Sequence, residues 1–385
     1  MEVGWLSVWL WIKAWVWLGI HPGSWLALAL LLMQVMGLSR YERKWFATRL
    51  TPPVPLAVRT WMLGGVLGVG LSICLLWGEW QIRTADLGWI WACTCILALV
   101  RARWACIAYS AGLVILLQGC LTLVPMTGFP LSLQPYVQSL SEVQAVDWLW
   151  IVANAHLGEW LLIRLDGSQG AYPVRVKGET SQVTPALRFH KVWPFPLVLG
   201  FMPVPLCLGF GCLNYAKPLE QEQRLASTMT LLYALALAGL TSLAEFWTGG
   251  IWVAAGFAIA GHEAIAVWNH LRVKKLSPYY VSDGHGIKVI AVIPHSPAAS
   301  MGIKPGDVIH RVNGKSVPTM AALLQVTEKA AFCKVEVLDE HEDRHIMQKA
   351  LYEDDPRHLG IIGASCFGTA IQRVPVIRSG ATTSQ

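Results

Sequence analysis

Long apolar runs alternate with short polar stretches over the first 270 residues of the chain. Several of these runs approach the ~20 residues that a helix needs to cross a bilayer. Beyond residue 270, charged side chains become frequent and no apolar run is long enough to span. The pattern predicts a polytopic α-helical membrane domain over residues 1–270. Its nine candidate spans lie at about 4–20, 24–38, 60–78, 87–100, 104–123, 146–163, 193–213, 228–247 and 250–268.

The composition agrees with a membrane protein. The 385 residues are 54% hydrophobic and only 14% charged, and they include 20 tryptophans. The net charge of +6 is confined to a few loops, so it does not indicate nucleic-acid binding. The nine cysteines follow no metal or redox spacing, which favours inert buried thiols. The first apolar run lacks a basic start and a small-residue cleavage site, so we expect it to be retained.

Basic residues are concentrated in three connections between the candidate spans. Two of them, residues 40–59 and 164–191, are long, and the third is the short segment with Arg101 and Arg103. The loop 124–143 contains neither Lys nor Arg. Because cytoplasmic loops carry an excess of Lys and Arg, we expect the three basic connections and the amino terminus inside the cell.

The candidate spans include one crossing too many. Arg272, Lys274 and Lys275 follow the last span and indicate a cytoplasmic carboxyl terminus, whereas nine crossings would place it outside. The segment 193–213 contains four prolines, which remove backbone donors and break helices. We therefore predict that this segment is re-entrant or interfacial, which leaves about eight spans.

Residues 286–366 have the pattern of a small soluble α+β domain. Ser296 is a helix cap followed by Pro297, and Gly302 suits the left-handed residue that ends a helix. Asn313-Gly314 is a strong hairpin signal. The predicted elements are a strand at 286–293, a helix at 296–302, a strand at 307–312, a helix at 318–330, and strands at 333–339 and 344–352.

The motifs "SPA", "GIKPGDVI" and "VNGKSV" within this segment resemble the PDZ family in its permuted bacterial form. Such domains add a peptide as an extra strand and hold its terminal carboxylate on the amides of an apolar-Gly-apolar loop. The resemblance implies a PDZ domain over 277–366, followed by a tail at 367–385. It places the peptide-binding residues in a late loop and on one helix face: Leu359, Gly360, Ile361 and Ile362, with Met320, Leu323, Leu324 and Thr327.

The other interpretation of "LGIIG" is a plain core strand ending. It stays open at this point, because apolar residues around a glycine suit both a carboxylate-binding loop and a strand terminus.

An intramembrane metalloprotease deserves consideration because His262-Glu263 lies in a span before a PDZ-like segment. Zinc chemistry of that class needs a second histidine one helical turn later, and position 266 is alanine. Asp166, which resembles that family's second motif, comes before the pair instead of after it. No G-x-S-x-G motif is present either. We therefore expect no enzymatic activity, no cofactor and no bound metal.

Several ionisable residues nevertheless fall inside candidate spans, where they are functional candidates by default. They either line a transport path or pair between helices. Histidine and glutamate come late in two spans, which is a weak internal echo that duplication or chance explains equally well. The residues concerned are Lys13, His156, Glu159, Glu245, His262 and Glu263.

A many-span region followed by one PDZ domain, with no catalytic constellation, resembles the MinJ-type determinants of cell division. His21-Pro22 and the sequence "RYERKWFATR" after the second span look like that family too. The resemblance implies a membrane-anchored scaffold for division-site selection, enriched at septa and poles. Its implied partners are the lipid bilayer, a DivIVA-type polar protein and a MinD-type ATPase, with a carboxyl-terminal peptide as a further ligand.

The alternative hypothesis is a membrane regulator or sensor of proteolysis whose PDZ domain captures exposed carboxyl termini. The side of the membrane on which the PDZ domain lies separates the two, since division partners are cytoplasmic.

Overall fold

The computed structural model describes residues 5–76, 78–177, 183–281, 284, 286–328, 330–351 and 358–364, so the predicted tail at 367–385 lies outside the described part. Before the PDZ-like segment, the described chain forms mainly α-helices. They are α1 (Trp5–Ile20), α2 (Pro22–Phe46), α3 (Pro53–Cys74), α4 (Thr84–Val100), α5 (Ile107–Thr122), α6 (Gln134–Ser141), α7 (Ala145–Asp166), α8 (Leu219–Phe246) and α9 (Gly249–Lys275).

These helices confirm the apolar helical region predicted from the sequence. Within the described residues, α2, α3, α8 and α9 are long and apolar enough to cross a membrane, and α1, α4 and α5 are shorter apolar helices. Helix α7 differs because most of its residues are buried inside the protein. Trp148, Leu149 and Ile151, for example, are fully buried. Helix α7 therefore lies at the centre of the bundle.

The remaining apolar segment, 193–213, forms a β-hairpin instead of a helix. The expectation that it is not a spanning helix is confirmed, whereas its strands were not predicted. The hairpin belongs to an antiparallel sheet of order β1-β2-β3, and Gly200 at its tip has a φ of 60°. Trp193 and Phe195 are completely buried among the helices. The strands are β1 (Tyr172–Lys177), β2 (Val183–Leu199) and β3 (Met202–Asn214).

The four prolines fit this hairpin because of their register. Pro196 of β2 lies opposite Pro205 of β3, and Pro194 and Pro203 occupy the same alternating set of positions. Neither member of a Pro–Pro pair can donate a hydrogen bond, so this set must be the non-hydrogen-bonded one. Each missing N–H would have pointed away from the hairpin, towards the helices. The prolines thus remove donors that would find no water inside an apolar bundle.

Side chains of α2 and α3 form hydrogen bonds with the backbone N–H and C=O groups that remain along the outer edge of β2. The amide of Gln34 on α2 donates to the carbonyl of His190 at 2.6 Å and accepts from the N–H of Val192 at 2.6 Å. The hydroxyl of Ser72 on α3 accepts from the N–H of Val198 at 2.9 Å. The edge of a β-strand can therefore lie within a helical membrane protein without unpaired donors at these positions.

Two glycines allow α3 to approach this edge at backbone contact. A Cβ atom on Gly64 would lie 2.1 Å from the carbonyl oxygen of Pro194. A Cβ atom on Gly68 would lie 2.2 Å from that of Pro196. Because the atom in the way is a backbone carbonyl oxygen at both positions, no change of side-chain rotamer relieves the contact. Small residues at four-residue spacing are how membrane helices pack closely, and here they pack on a strand.

We expect Gly64→Val to lower the thermal stability of the purified protein, by roughly 1–3 kcal/mol of overpacking strain. The measurement is the fraction of protein that stays monodisperse after heating in detergent. The matched control is Gly65→Val, since a Cβ there meets nothing within 4 Å and the intrinsic helix cost is equal. Equal losses in the two variants would show that α3 does not pack on the hairpin in this way.

The carboxyl-terminal region is an antiparallel sheet of order β8-β7-β5-β4-β9 with two helices, and β6 pairs with β5. The predicted cap at Ser296 is confirmed, since its hydroxyl accepts from the N–H of Ala299, and Thr319 caps the second helix in the same way by accepting from the N–H of Ala322. Asn313 and Gly314 both have positive φ, as the predicted hairpin requires. The elements are β4 (Ile287–Val292), α10 (Pro297–Met301), β5 (Val308–Val312), β6 (Lys315–Ser316), α11 (Met320–Thr327), β7 (Phe332–Leu338), β8 (Arg344–Ala350) and β9 (Ile361–Gly363).

This domain packs directly on the helical region. Ile290 of β4 and Ile362 of β9 share a buried cluster with Phe46 at the end of α2 and Leu187 of β2. Tyr280, which is fully buried in the same cluster, accepts from the side-chain amide of Asn214 at 3.3 Å. The two regions therefore share a hydrophobic contact as well as a chain connection.

Candidate peptide-binding groove

The predicted peptide-binding residues lie at one end of the carboxyl-terminal sheet. Strand β9 is the terminal strand in the sheet order, with β4 on its paired side. Helix α11 lies next to it, because a Cβ on Gly363 would be 2.9 Å from the sulfur of Met320. A terminal strand beside a helix is the geometry that accepts a peptide as an additional strand.

The loop before β9 is held by its carbonyl groups. The N–H of Ile293 donates to the carbonyl of Gly360 at 2.8 Å, and the N–H of Ala298 donates to that of Leu359 at 2.9 Å. Within the described chain, the N–H groups of Leu359 and Gly360 make no hydrogen bond to protein. The hydrogen bond between Ile293 and Gly360 makes these residues a hydrogen-bonded pair of the antiparallel ladder. The next residue, Ile361, therefore directs its own N–H and C=O away from β4. Amides in such an arrangement are available to an anionic carboxylate.

Gly360 is at the centre of this loop with a φ of 78°. A Cβ at this position would lie 2.2 Å from the Cβ of Ser296, the buried residue that caps α10. The loop thus needs glycine for its backbone conformation and for its contact with the helix cap.

The structure separates the helix residues of the predicted site into two groups. Leu323 and Thr327 are buried, and the Thr327 hydroxyl donates to backbone carbonyls of its own helix. Leu324 is 38% exposed and Met320 is partly buried. Met320 and Leu324 are four residues apart and therefore share the outer face of α11.

The loop residues divide in the same way. Leu359 and Ile361 belong to the core of the PDZ-like domain. Ile362 points to the opposite face of the sheet, where it packs against the helical region with Phe46. The candidate groove therefore consists of the backbone of 359–361 with Met320 and Leu324. The period-two alternation of a strand could have assigned Ile362 to the other face.

His358 is the ionisable residue that directly precedes this loop. Burial lowers the pKa of its imidazole below the ordinary value, so the ring is neutral at pH 7. In the unliganded protein, His358 therefore adds no positive charge beside the amides of this loop.

The comparisons with known proteins bear on both regions of the chain. A family model described as PDZ domain matches residues 288–331, which run from β4 to just past α11. Over 379 residues, 89% of this chain and 92% of the relative, the chain is 23% identical to the cell division topological determinant MinJ of Bacillus subtilis (strain 168). The chain is similar to MinJ along nearly its whole length. The resemblance predicted from its sequence is confirmed.

A second MinJ relative shows the same extent of similarity. The chain is 23% identical to the probable cell division topological determinant MinJ of Lacticaseibacillus paracasei, over 382 residues that cover 88% of this chain and 94% of the relative. A 63-residue stretch is 38% identical to the putative serine protease HhoA of Synechocystis, covering 16% of each chain. The likeness to MinJ thus includes the helical region and the PDZ domain, whereas the likeness to the protease covers one short segment.

We expect Gly360→Ala to destabilise the PDZ domain more than Gly314→Ala does. Both glycines have a φ of 78°, so both substitutions carry the same backbone strain, but a Cβ at 314 meets nothing within 4 Å. The additional loss at 360 should be roughly 1–3 kcal/mol, from contact with Ser296. Limited proteolysis of the PDZ domain in the full-length protein measures the difference. Equal protease resistance in the two variants would contradict the described loop.

Proposed function

We propose that the protein is a membrane-anchored scaffold that helps to select the division site by binding cytoplasmic division proteins. The main support is its similarity to MinJ over about nine-tenths of the chain, together with apolar helices that can cross a membrane. Its partners in this proposal are a DivIVA-type polar protein and a MinD-type ATPase. The similarity to MinJ supports a non-enzymatic adaptor for cell division, and the two named partners extend that role.

The charge distribution of the bundle supports a cytoplasmic PDZ domain. Phe46 and Leu187, which contact the domain, come from the connections 40–59 and 164–191. Each of these connections carries five Lys and Arg residues, whereas the loop 124–143 has none. The PDZ domain therefore packs on the basic end of the bundle, which is the end expected inside the cell.

The β-hairpin is consistent with this arrangement. Its two ends are paired with each other at Leu187 and Asn214, beside the PDZ domain, and the chain turns at Gly200. A hairpin that enters and leaves on the same side does not change the direction of the chain. Eight helices, α1 to α5 and α7 to α9, can then cross in alternation and leave both termini in the cytoplasm.

The topology is tested by two alkaline phosphatase fusions, since the enzyme is active only outside the cytoplasm. A fusion after Gln385 should be inactive, and a fusion after Leu131, in the loop without Lys or Arg, should be active, with a difference of at least tenfold at equal protein level. High activity after Gln385 would reject the cytoplasmic scaffold and favour a sensor of proteolysis outside the cell.

The role of the groove is tested by Leu324→Glu in the full-length protein. Leu324 is exposed on the outer face of α11, so a glutamate should leave the core intact but place an unpaired charge where a peptide side chain would bind. Leu323→Glu is unsuitable because Leu323 is 2% exposed in the core, and the substitution would unfold the domain. We expect Leu324→Glu to weaken recruitment of the division partner at least tenfold.

The control for this variant is Lys315→Glu, in the exposed strand β6 at the hairpin away from α11. Recruitment can be scored by pull-down from membranes and by the fraction of septa placed near the poles. If Leu324→Glu recruits its partners as well as Lys315→Glu does, the partners bind another surface and the groove has no part in the function.

A further inference from the structure

A buried cluster of potential metal ligands lies where α5, α7 and α9 meet. Cys106 immediately precedes α5, His156 and Glu159 are one turn apart on α7, and His262 is on α9. The Cys106 thiol and a nitrogen of each imidazole lie within 4.8 Å of one another. A carboxylate oxygen of Glu159 is 3.5 Å from Nε2 of His156 and 3.9 Å from Nε2 of His262.

The hydrogen bonding of His156 leaves its Nε2 as a bare acceptor. Its Nδ1 is 2.7 Å from the carbonyl oxygen of Val152, which can only accept. The proton of the neutral ring must therefore be on Nδ1, and the lone pair is on Nε2. That lone pair faces the Cys106 sulfur at 3.4 Å. A histidine that donates through one nitrogen to a carbonyl is oriented as metal-binding histidines are.

A longer chain of hydrogen bonds fixes His262 in the same tautomer. Arg103 forms an ion pair with Glu263, so this carboxylate accepts and cannot donate. The Tyr109 hydroxyl therefore donates its proton to Glu263, at 2.8 Å. The Tyr109 oxygen is 3.0 Å from Nδ1 of His262 and can only accept from it. Nε2 of His262 is consequently bare and faces Glu159.

Glu159 provides a second observation that points to a cation. The residue is 1% exposed, and its Oε1 has no hydrogen-bond partner among the described residues. Its other oxygen faces two imidazole nitrogens, neither of which carries a proton. A buried Glu159 among acceptors must either keep its proton and donate it to one Nε2, or share these acceptors with a positive charge.

We propose that Cys106, His156, Glu159 and His262 bind one zinc ion. Tetrahedral zinc with bonds of about 2.0–2.3 Å separates neighbouring donor atoms by roughly 3.3–3.6 Å. The thiol–imidazole and imidazole–carboxylate distances of 3.4 and 3.5 Å fit this geometry. Cys106, His156 and His262 form the set of donors within 4.8 Å of one another, and Glu159 joins them by a shift of its side chain. Mixed sulfur, nitrogen and oxygen donors favour Zn²⁺ over hard cations such as Mg²⁺.

The charge balance agrees with a site inside an apolar bundle. One thiolate, one carboxylate and two neutral imidazoles carry two negative charges, which a divalent ion neutralises. Binding releases the proton of the Cys106 thiol. The neutral complex avoids the large cost of an isolated charge in an apolar environment.

The surroundings indicate a structural site more than a reactive one. Four protein ligands complete a tetrahedron and leave no open position for water. The Tyr233 ring packs edge-on against His156 and His262, while its hydroxyl donates to a backbone carbonyl of α9. A cavity of about 40 Å³ borders Glu159 and His262. The ion would tie three helices together near the basic end of the bundle.

The test uses the full-length protein in detergent, purified with a tag that contains no histidine and stripped with a chelator. Cobalt(II) is the probe, because it occupies tetrahedral zinc sites and has visible and thiolate charge-transfer bands. We expect about one cobalt ion per chain with a charge-transfer band, and displacement of cobalt by zinc. Cys106→Ser should abolish that band, and His262→Gln should weaken metal binding at least tenfold.

Two control variants are Cys207→Ser and His190→Gln, which change a buried thiol and a partly buried imidazole outside the cluster. Both should bind metal as the unchanged protein does. Zinc should raise the unfolding temperature of the unchanged protein but not of Cys106→Ser. Absence of stoichiometric binding in the folded protein, or equal binding by Cys106→Ser and His262→Gln, would reject the site and leave a hydrogen-bonded cluster.

Discussion

Every buried backbone N–H and C=O must have a partner in an apolar bundle, and this constraint shapes the centre of the protein. Spanning helices satisfy it internally, whereas the β2–β3 hairpin cannot. Prolines remove the donors at four non-bonded positions, and Gln34 and Ser72 satisfy others. Gly64 then lets α3 cover the edge at backbone contact. The hairpin is stable there only because its own prolines, Gln34 of α2, and Ser72 and Gly64 of α3 together satisfy or cover its edge.

The PDZ domain could be predicted closely from sequence because its signals are local. The caps at Ser296 and Thr319 each determine where a helix begins, and Asn313-Gly314 determines the position of a turn. The hairpin could not be predicted from the sequence, because prolines usually exclude a strand. Only the register that places prolines of the two strands at matching non-bonded positions makes them compatible with one. The sequence of the PDZ domain by itself favours Ile362 as a groove residue. Its contact with Phe46 depends on how two distant parts of the chain pack.

Buried polar residues were the least predictable feature. The sequence predicts no metal site, since neither the cysteine nor the histidine spacing matches a known motif. His156 and His262 are 106 positions apart, and they meet only because α7 and α9 pack side by side. His262, which suggested a protease together with Glu263, instead lies in one cluster with Cys106 and His156, and Glu263 belongs to the ion pair that orients His262. Three helices supply the side chains, so no local pattern could identify them.

These features describe an apolar helical region that holds the PDZ domain against its basic end. The central claim is that the outer face of α11 contacts division proteins in the cytoplasm. A photo-activated crosslinking amino acid placed at Leu324, in dividing cells, tests this most directly. The account predicts crosslinks to a MinD-type or DivIVA-type protein from position 324 and none from position 315. Equal crosslinking from both positions, or crosslinks only to proteins outside the cytoplasm, would contradict it.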